Sequence, residues 1–315
     1  RDALVDTLIE RLGSDEDSAR FLAVVGPSGS GKSSAVKAGL IPALRAGKLP
    51  GWDEWYIQEM SPGAHPLAEL EAAILRVAVR TDQALLSQLH DDPAGLVRVI
   101  AEALPDDEND FILVIDQFEE VFTLVEDEAQ RSHFLALLHQ AVTAPGSRLR
   151  VIVTLRADFY DRPLLYAGLG DLIRLRTEVV LPLSVEELQQ TIVGPASRVG
   201  LILEPGLVDM IVDDVLKQPS SLPLLQYMLT ELYERRSHLK LTLQAYRAIG
   251  GVSGALARRA DEIFDSLTEQ KQAVARQLFL RLVSLGEGTE DTRRRAEQSE
   301  LQSIEGDRKA MQEVI

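Results

Sequence analysis

The sequence predicts a doubly wound α/β domain followed by a helical region, and three observations predict it. Short continuous apolar runs alternate with helical patterns from the first residues to about Leu183. The first apolar run feeds a glycine-rich segment, Gly26-Pro27-Ser28-Gly29-Ser30-Gly31-Lys32-Ser33, and a helical pattern leaves it. Beyond Pro182-Leu183-Ser184 almost every segment reads as helix.

In order, Leu4, Val5, Leu8, Ile9 and Leu12 recur at helical spacing, and Gly13 ends that helix. Phe21 to Val25 is an apolar strand, and the helix after the glycine-rich segment runs from Ser34 to about Leu44. Trp55 to Met60 reads as a second strand stopped by Ser61-Pro62-Gly63, with helices over Pro66–Val79 and Asp92–Leu104. An acidic loop, Pro105 to Asp110, leads into Phe111-Ile112-Leu113-Val114-Ile115, whose unbroken apolarity suits a strand covered on both faces. Helix Glu128–Val142, strand Leu149–Leu155 and a fifth strand between Ile173 and Leu181 complete the alternation. Helices are then expected over Ser184–Val199, Pro205–Lys217, Ser221–Arg236, Gly254–Leu267 and Glu269–Leu285, with a capping box of Ser184 and Glu187 at the first. Gly250-Gly251 marks the internal boundary of this part, so the expected domains are 1–183, 184–250 and 251–315.

Gly26 to Ser33 has the form G-x-x-x-x-G-K-S/T of a phosphate-binding loop. Such a loop needs glycines because its N–H groups wrap closely around an anion that a Cβ would obstruct. Lys32 is then placed for the β- and γ-phosphates and the Ser33 hydroxyl for Mg²⁺, while Ser34 opens a helix whose N-terminus favours the same anion. A plain Gly/Ser surface turn would leave the preceding apolar strand without a reason. Asp116, ending its strand, is the matching carboxylate for Mg²⁺. Glu119 and Glu120 could each orient or deprotonate an attacking water, or simply open a solvated acidic turn. Arg156 ends the Leu149–Leu155 strand, where ligands of open α/β sheets sit, and could sense a γ-phosphate. The alternative is a surface Arg paired with Asp158 or Asp161.

Composition bounds the function classes. The 315 residues are 45% hydrophobic and 26% charged, an ordinary globular balance. A net charge of −16 argues against a nucleic-acid or anionic-membrane surface. Zero cysteines exclude disulfides and suit a cytoplasmic setting, and the five scattered histidines lack ligand spacing. No run approaches about 18 uninterrupted apolar residues. Arg rather than Met at the first position reads as a fragment or a processed chain.

Several strings together resemble one family: V-V-G-P-S-G-S-G-K-S-S with A-G-L-I-P-A-L, F-I-L-V-I-D-Q-F-E-E-V-F, V-T-L-R-A-D-F-Y-D-R, L-P-L-L-Q-Y-M-L-T-E-L-Y-E-R-R, L-T-L-Q-A-Y-R-A-I-G-G-V-S-G-A-L and G-E-G-T-E-D-T-R-R-R. The chain resembles the novel STAND NTPases of bacteria, signal-transduction ATPases commonly fused to WD-type repeats. The resemblance implies an ASCE-type P-loop NTPase fold with the Arg156 strand between the loop strand and the Asp116 strand. An all-α helical domain and a partial winged-helix domain would follow. It implies that Pro223 packs on adenine and that Arg156 is the sensor arginine. It further implies an ADP-closed form that opens with ATP and oligomerises, with effector and sensor-repeat domains as partners.

Two departures stand out. Gln117 occupies the place after Asp116 where related motor ATPases have a catalytic Glu, so hydrolysis is expected to be slow. No Met-His-Asp string occurs, and the chain opens at the end of a segment that helps to enclose the base in relatives. The sequence thus reads as an ATP/ADP switch with slow Mg²⁺-dependent hydrolysis. A non-hydrolysing ADP-bound scaffold, and less so a motor ATPase, stand as alternatives.

Overall fold

The computed structural model describes residues 1–14, 17–52, 54–80, 83–105, 109–217, 222–284 and 292–293. The chain forms two compact units, Arg1–Thr191 with Ser220–Leu222, and Ile192–Pro219 with Pro223–Ile315.

The first unit is built on five parallel strands: β1 (Phe21–Gly26), β2 (Tyr56–Met60), β3 (Phe111–Ile115), β4 (Leu149–Arg156) and β5 (Thr177–Val179). They lie in the order β2-β3-β4-β1-β5, so the strand ending at Arg156 does lie between the other two site-bearing strands. Central β1 and β3 are buried at every residue because each face is covered, which explains their unbroken apolar sequence. Leu22, Val24, Ile112, Val114 and Ile152 face helix Asp2–Leu12 and the helix after the loop. Phe21, Ala23, Val25, Leu113, Val151 and Val153 face the opposite layer, where Phe134, Leu135 and Leu138 of helix Glu128–Thr143 pack. The Asp127 carboxylate caps that last helix by accepting from the Ala129 N–H at 2.8 Å. Edge strand β2 shows mixed exposure, as one covered neighbour predicts.

Three expectations for this unit need correction. The helix after the loop is not regular: between Lys32–Ser34 and Ile41–Arg45 it widens into a π-helical stretch, Ala35–Leu40. Pro42, which has no N–H and crowds the carbonyl four residues back, lies just beyond the widened turns. The fifth strand is only Thr177–Val179, because Ile173 belongs to helix Leu169–Leu175. There Leu169, Leu172 and Ile173 are buried at a spacing that lines one helical face. The helix expected over Pro66–Val79 ends at Leu75, and a helix the sequence pattern did not predict, Gln83–Asp91, follows ahead of Gly95–Ala103.

The capping box at helix Val185–Arg198 is present, with the Ser184 N–H donating to Glu187 Oε2 at 2.9 Å and the Glu187 N–H to Ser184 Oγ at 3.2 Å. In the second unit, helices Leu207–Leu216, Leu222–Glu234, Leu243–Ile249, Gly251–Ser266 and Glu269–Leu282 surround a core that includes Ile211, Val212, Met228, Leu232, Ile249 and Val252. The Tyr246 hydroxyl donates to Asp214 Oδ2 at 2.6 Å inside it. This part is not purely helical: β6 (Ile202–Leu203) and β7 (Lys240–Leu241) pair in parallel. Two-residue strands are too short to show any periodicity in sequence. Val283–Ser284 and Thr292–Arg293 form an antiparallel ribbon, so the helix expected to reach Leu285 stops at Leu282. Much of the expected domain 251–315 lies outside the described residues.

Candidate functional site

The parallel ladder brings the site together before any side chain is considered. Gly26 is the register partner of Arg156, and Ile115 of Val153, so the loop, Asp116, Thr154 and Arg156 all emerge at the carboxyl ends of adjacent strands. Within the loop Gly29 has φ 72° and Gly31 φ 89°, left-handed values that glycine adopts without a Cβ penalty. A Cβ on Gly26 would meet Ser30 Oγ at 2.9 Å and the Val180 carbonyl at 3.0 Å, so the loop's entrance is also sterically closed to larger residues. Pro27 and Ser28 lie at the exposed outer turn, and Ser34 closes the first helical turn.

Lys32 is only 8% exposed and spends its ammonium on the loop's own carbonyls, Gly26 O at 2.9 Å and Pro27 O at 2.8 Å. Burial lowers its pKa, with Glu119 and Asp116 pulling the other way. Arg1 steadies the loop from outside, donating to Ser30 O and Leu181 O at 2.8 Å each.

Asp116 is the hub. Its Oδ1 accepts from Ser33 Oγ at 2.7 Å and Thr154 Oγ1 at 2.6 Å, and its Oδ2 pairs with Lys37 Nζ at 2.9 Å. Burial alone would raise the Asp116 pKa, but the hydrogen bonds from Thr154, Ser33 and Lys37 outweigh it and the net direction is down. Lys37 also reaches Glu59 at 3.1 Å; burial opposes its charge, yet the two carboxylates hold its pKa above the ordinary lysine value. The Thr154 hydroxyl accepts from the Gln117 N–H at 3.0 Å, pinning a residue with φ 56°, unusual for a side chain larger than glycine.

The two following glutamates diverge. Glu119 Oε2 accepts from the Arg156 N–H at 3.3 Å, and burial raises its pKa against the pull of backbone donors, Lys32 and Arg156. Glu120 Oε2 instead accepts from the Gly63 N–H at 3.0 Å, tying it to the segment after β2. The Arg156 guanidinium is engaged by Asp158, at 3.0 Å through Nε and 2.5 Å through Nη2, which raises its pKa. Pro223 lies in the first turn of helix Leu222–Glu234, in the second unit.

Lys37, Glu59 and Thr154 are the participants that sequence reading missed. Thr154 left a signal, as the one hydroxyl in the Val151–Leu155 run. Lys37 left a weaker one, four residues after Ser33 on the same helix.

These residues fit a phosphate ligand carrying a hard cation. The Ser30 hydroxyl is buried without a hydrogen-bond partner inside the loop. The Ser33 hydroxyl and Asp116 carboxylate form an all-oxygen donor set, suited to Mg²⁺. Among the described residues no group of three His, Cys, Asp or Glu could hold a metal by itself.

Fold and loop together define the class, a P-loop α/β protein. Within it the chain belongs to the family Novel STAND NTPase 1, whose model matches residues 1–315. No curated protein matches. Among solved structures it is similar to the ORC1 protein of Aeropyrum pernix in complex with DNA, at 16% identity and TM-score 0.55, covering 96% of this chain and 75% of that one. Cdc6p of Pyrobaculum aerophilum is similar at 13% identity and TM-score 0.54, covering 89% and 74%. Hsp104 of S. cerevisiae, in a casein complex, is similar at 15% identity and TM-score 0.52, covering 90% of this chain and 46% of that one. At these identities the likeness is one of fold.

Proposed function

We propose that this NTPase-family chain is an ATP/ADP-operated switch that hydrolyses ATP slowly. The carrying observation is the meeting of Ser33 with Asp116 across 83 residues of sequence, beside Lys32 and Arg156. In this reading Gly26, Pro27, Ser28, Gly29, Ser30, Gly31 and Ser34 wrap the phosphates with backbone N–H groups, and Lys32 turns from its loop carbonyls to the β- and γ-phosphates. Ser33 and Asp116 would hold Mg²⁺, which would supply charge neutralisation of the phosphates. Glu119 is the favoured base over Glu120, because burial holds its carboxyl closer to the working range while Glu120 is tied to Gly63. Arg156 is the γ-phosphate sensor and Pro223 an adenine contact.

A nucleotide moves an equilibrium only by its differential affinity for two states. Arg156 and the Asp116–Glu120 turn supply that difference, since a third phosphate competes with Asp158 for the guanidinium. We read 184–250 as a helical domain, 251–315 as the beginning of a winged helix, and opening with ATP as the step that permits oligomerisation within a larger cytoplasmic signalling or defence protein. Among the described residues no helix is long and apolar enough to cross a membrane.

The test is to denature purified protein and identify the released nucleotide by ion-exchange chromatography. Near-stoichiometric ADP supports a closed switch, whereas a protein that neither carries nor binds adenine nucleotide refutes this reading.

A further inference from the structure

Lys37 sits between two carboxylates delivered by neighbouring strands. Its ammonium is 2.9 Å from Asp116 Oδ2 and 3.1 Å from Glu59 Oε2, while Ser33 and Thr154 hold the other Asp116 oxygen. Remove that ammonium and the Asp116 carboxylate remains beside the Ser33 hydroxyl, with Glu59 next to the position the ammonium held, oxygen donors of the kind divalent cations take. The buried Asp116 carboxylate, 5% exposed, then has every electrostatic reason to recruit a cation. Lys37, by contrast, keeps 39% of its side chain exposed on a flexible stem, so it can withdraw without the fold rearranging.

We propose that Lys37 stands in for a divalent cation at Asp116 in the absence of nucleotide, so that metal is accepted only together with nucleotide phosphates. This rests on reading Ser33 and Asp116 as the Mg²⁺ partners. A metal arriving alone meets the repulsion of Lys37 and the nearby Lys32. A metal arriving with a polyphosphate brings anions that offset both. The lysine thereby makes metal occupancy report on nucleotide occupancy, which a switch requires and an unguarded carboxylate pair would not provide.

The probe is Mn²⁺, followed by electron paramagnetic resonance on the full chain stripped of nucleotide. Lys37→Met is expected to bind Mn²⁺ on the order of tenfold tighter than the unsubstituted protein, while Lys37→Arg, keeping the charge, stays close to it. Lys37→Gln, which retains a hydrogen-bond donor, makes the same comparison should the methionine variant lose its fold. Adding ADP should bring the unsubstituted protein up to the affinity of the neutral variants. Equal nucleotide-free affinities in neutral and charged forms, with ADP binding intact, overturn the role of Lys37 alone. Absence of ADP binding in every form, measured without metal, overturns the site reading beneath it.

Discussion

The two ends of the central sheet use charged side chains in opposite ways. At the amino end, charged side chains are spent on structure. Arg150 stacks over Trp52 and Trp55, its guanidinium carbon 4.5 and 5.0 Å from their rings, and reaches Asp110 at 3.4 Å. Arg176, 4% exposed, donates to Phe21 O, Ser14 Oγ and Arg11 O. At the carboxyl end the charged groups pair at the mouth of the candidate site: Lys32 with its own loop, Lys37 with Asp116, Arg156 with Asp158. In the proposed reading a phosphate takes the place of the loop carbonyls at Lys32 and of Asp158 at Arg156, and a metal takes the place of Lys37 at Asp116. Strand direction explains the asymmetry, since a parallel sheet gathers its loops and helix N-termini at one end.

Substitutions can break this contrast. The largest effects are expected at the carboxyl end. Lys32→Ala should weaken ATP binding roughly a hundredfold, and because it also removes the donor to the Gly26 and Pro27 carbonyls it should cost about 1–2 kcal/mol of folding stability. An unchanged affinity in a fluorescence titration would remove Lys32 from the site. Glu119→Gln should cut ATP turnover by about a hundredfold or more. It also has a pH signature. A carboxyl whose pKa is raised by folding contributes stability that is complete below its unfolded pKa and is lost as pH rises through its folded pKa. Above that window the glutamine variant should therefore be more stable than the parent, by about 0.5–1 kcal/mol in urea unfolding. A variant destabilised at neutral pH would contradict the burial argument for Glu119.

At the amino end Arg176→Met should behave the other way. It removes a donor to the buried Phe21 carbonyl and one of two donors to the Arg11 carbonyl, costing about 1–3 kcal/mol of folding stability, while ATP affinity in the folded fraction is unchanged. Thr154→Val tests the junction between the two behaviours. It removes a donor to Asp116 and an acceptor for the Gln117 N–H, so about 1–2 kcal/mol of stability and a measurable share of turnover should fall together. Smallest is Asp158→Asn. This partly exposed pair contributes under about 1 kcal/mol to stability, but freeing Arg156 should tighten ATP relative to ADP by a few-fold. Equal tightening of both nucleotides would show that Arg156 does not read the third phosphate.

The site's backbone was largely legible in the sequence, and its electrostatics were not. The loop announces itself because its conformation depends on glycines at fixed local spacing, β1 and β3 because burial on both faces requires unbroken apolar runs, and β4 by its largely apolar stretch Val151–Leu155. Asp116 and Arg156 could be picked out as the polar residues that end such runs. Choosing between Glu119 and Glu120 could not be done from their order, since the two differ only in what folds against them: the Arg156 N–H for one, the Gly63 N–H for the other. The start of Thr177–Val179 is not legible in the sequence because Ile173 suits a helix face and a buried strand equally well.

Local pattern therefore determined that this chain carries a phosphate loop on a doubly wound sheet, with a carboxylate and an arginine at the ends of two further strands. Strand order and register decided the rest. They set Arg156 beside Gly26, carried Thr154 to Asp116, and let Lys37 bridge Glu59 and Asp116. Periodicity records which face of an element is buried, but a hydrogen bond or ion pair between distant residues needs two elements at a fixed separation, and only tertiary packing supplies that.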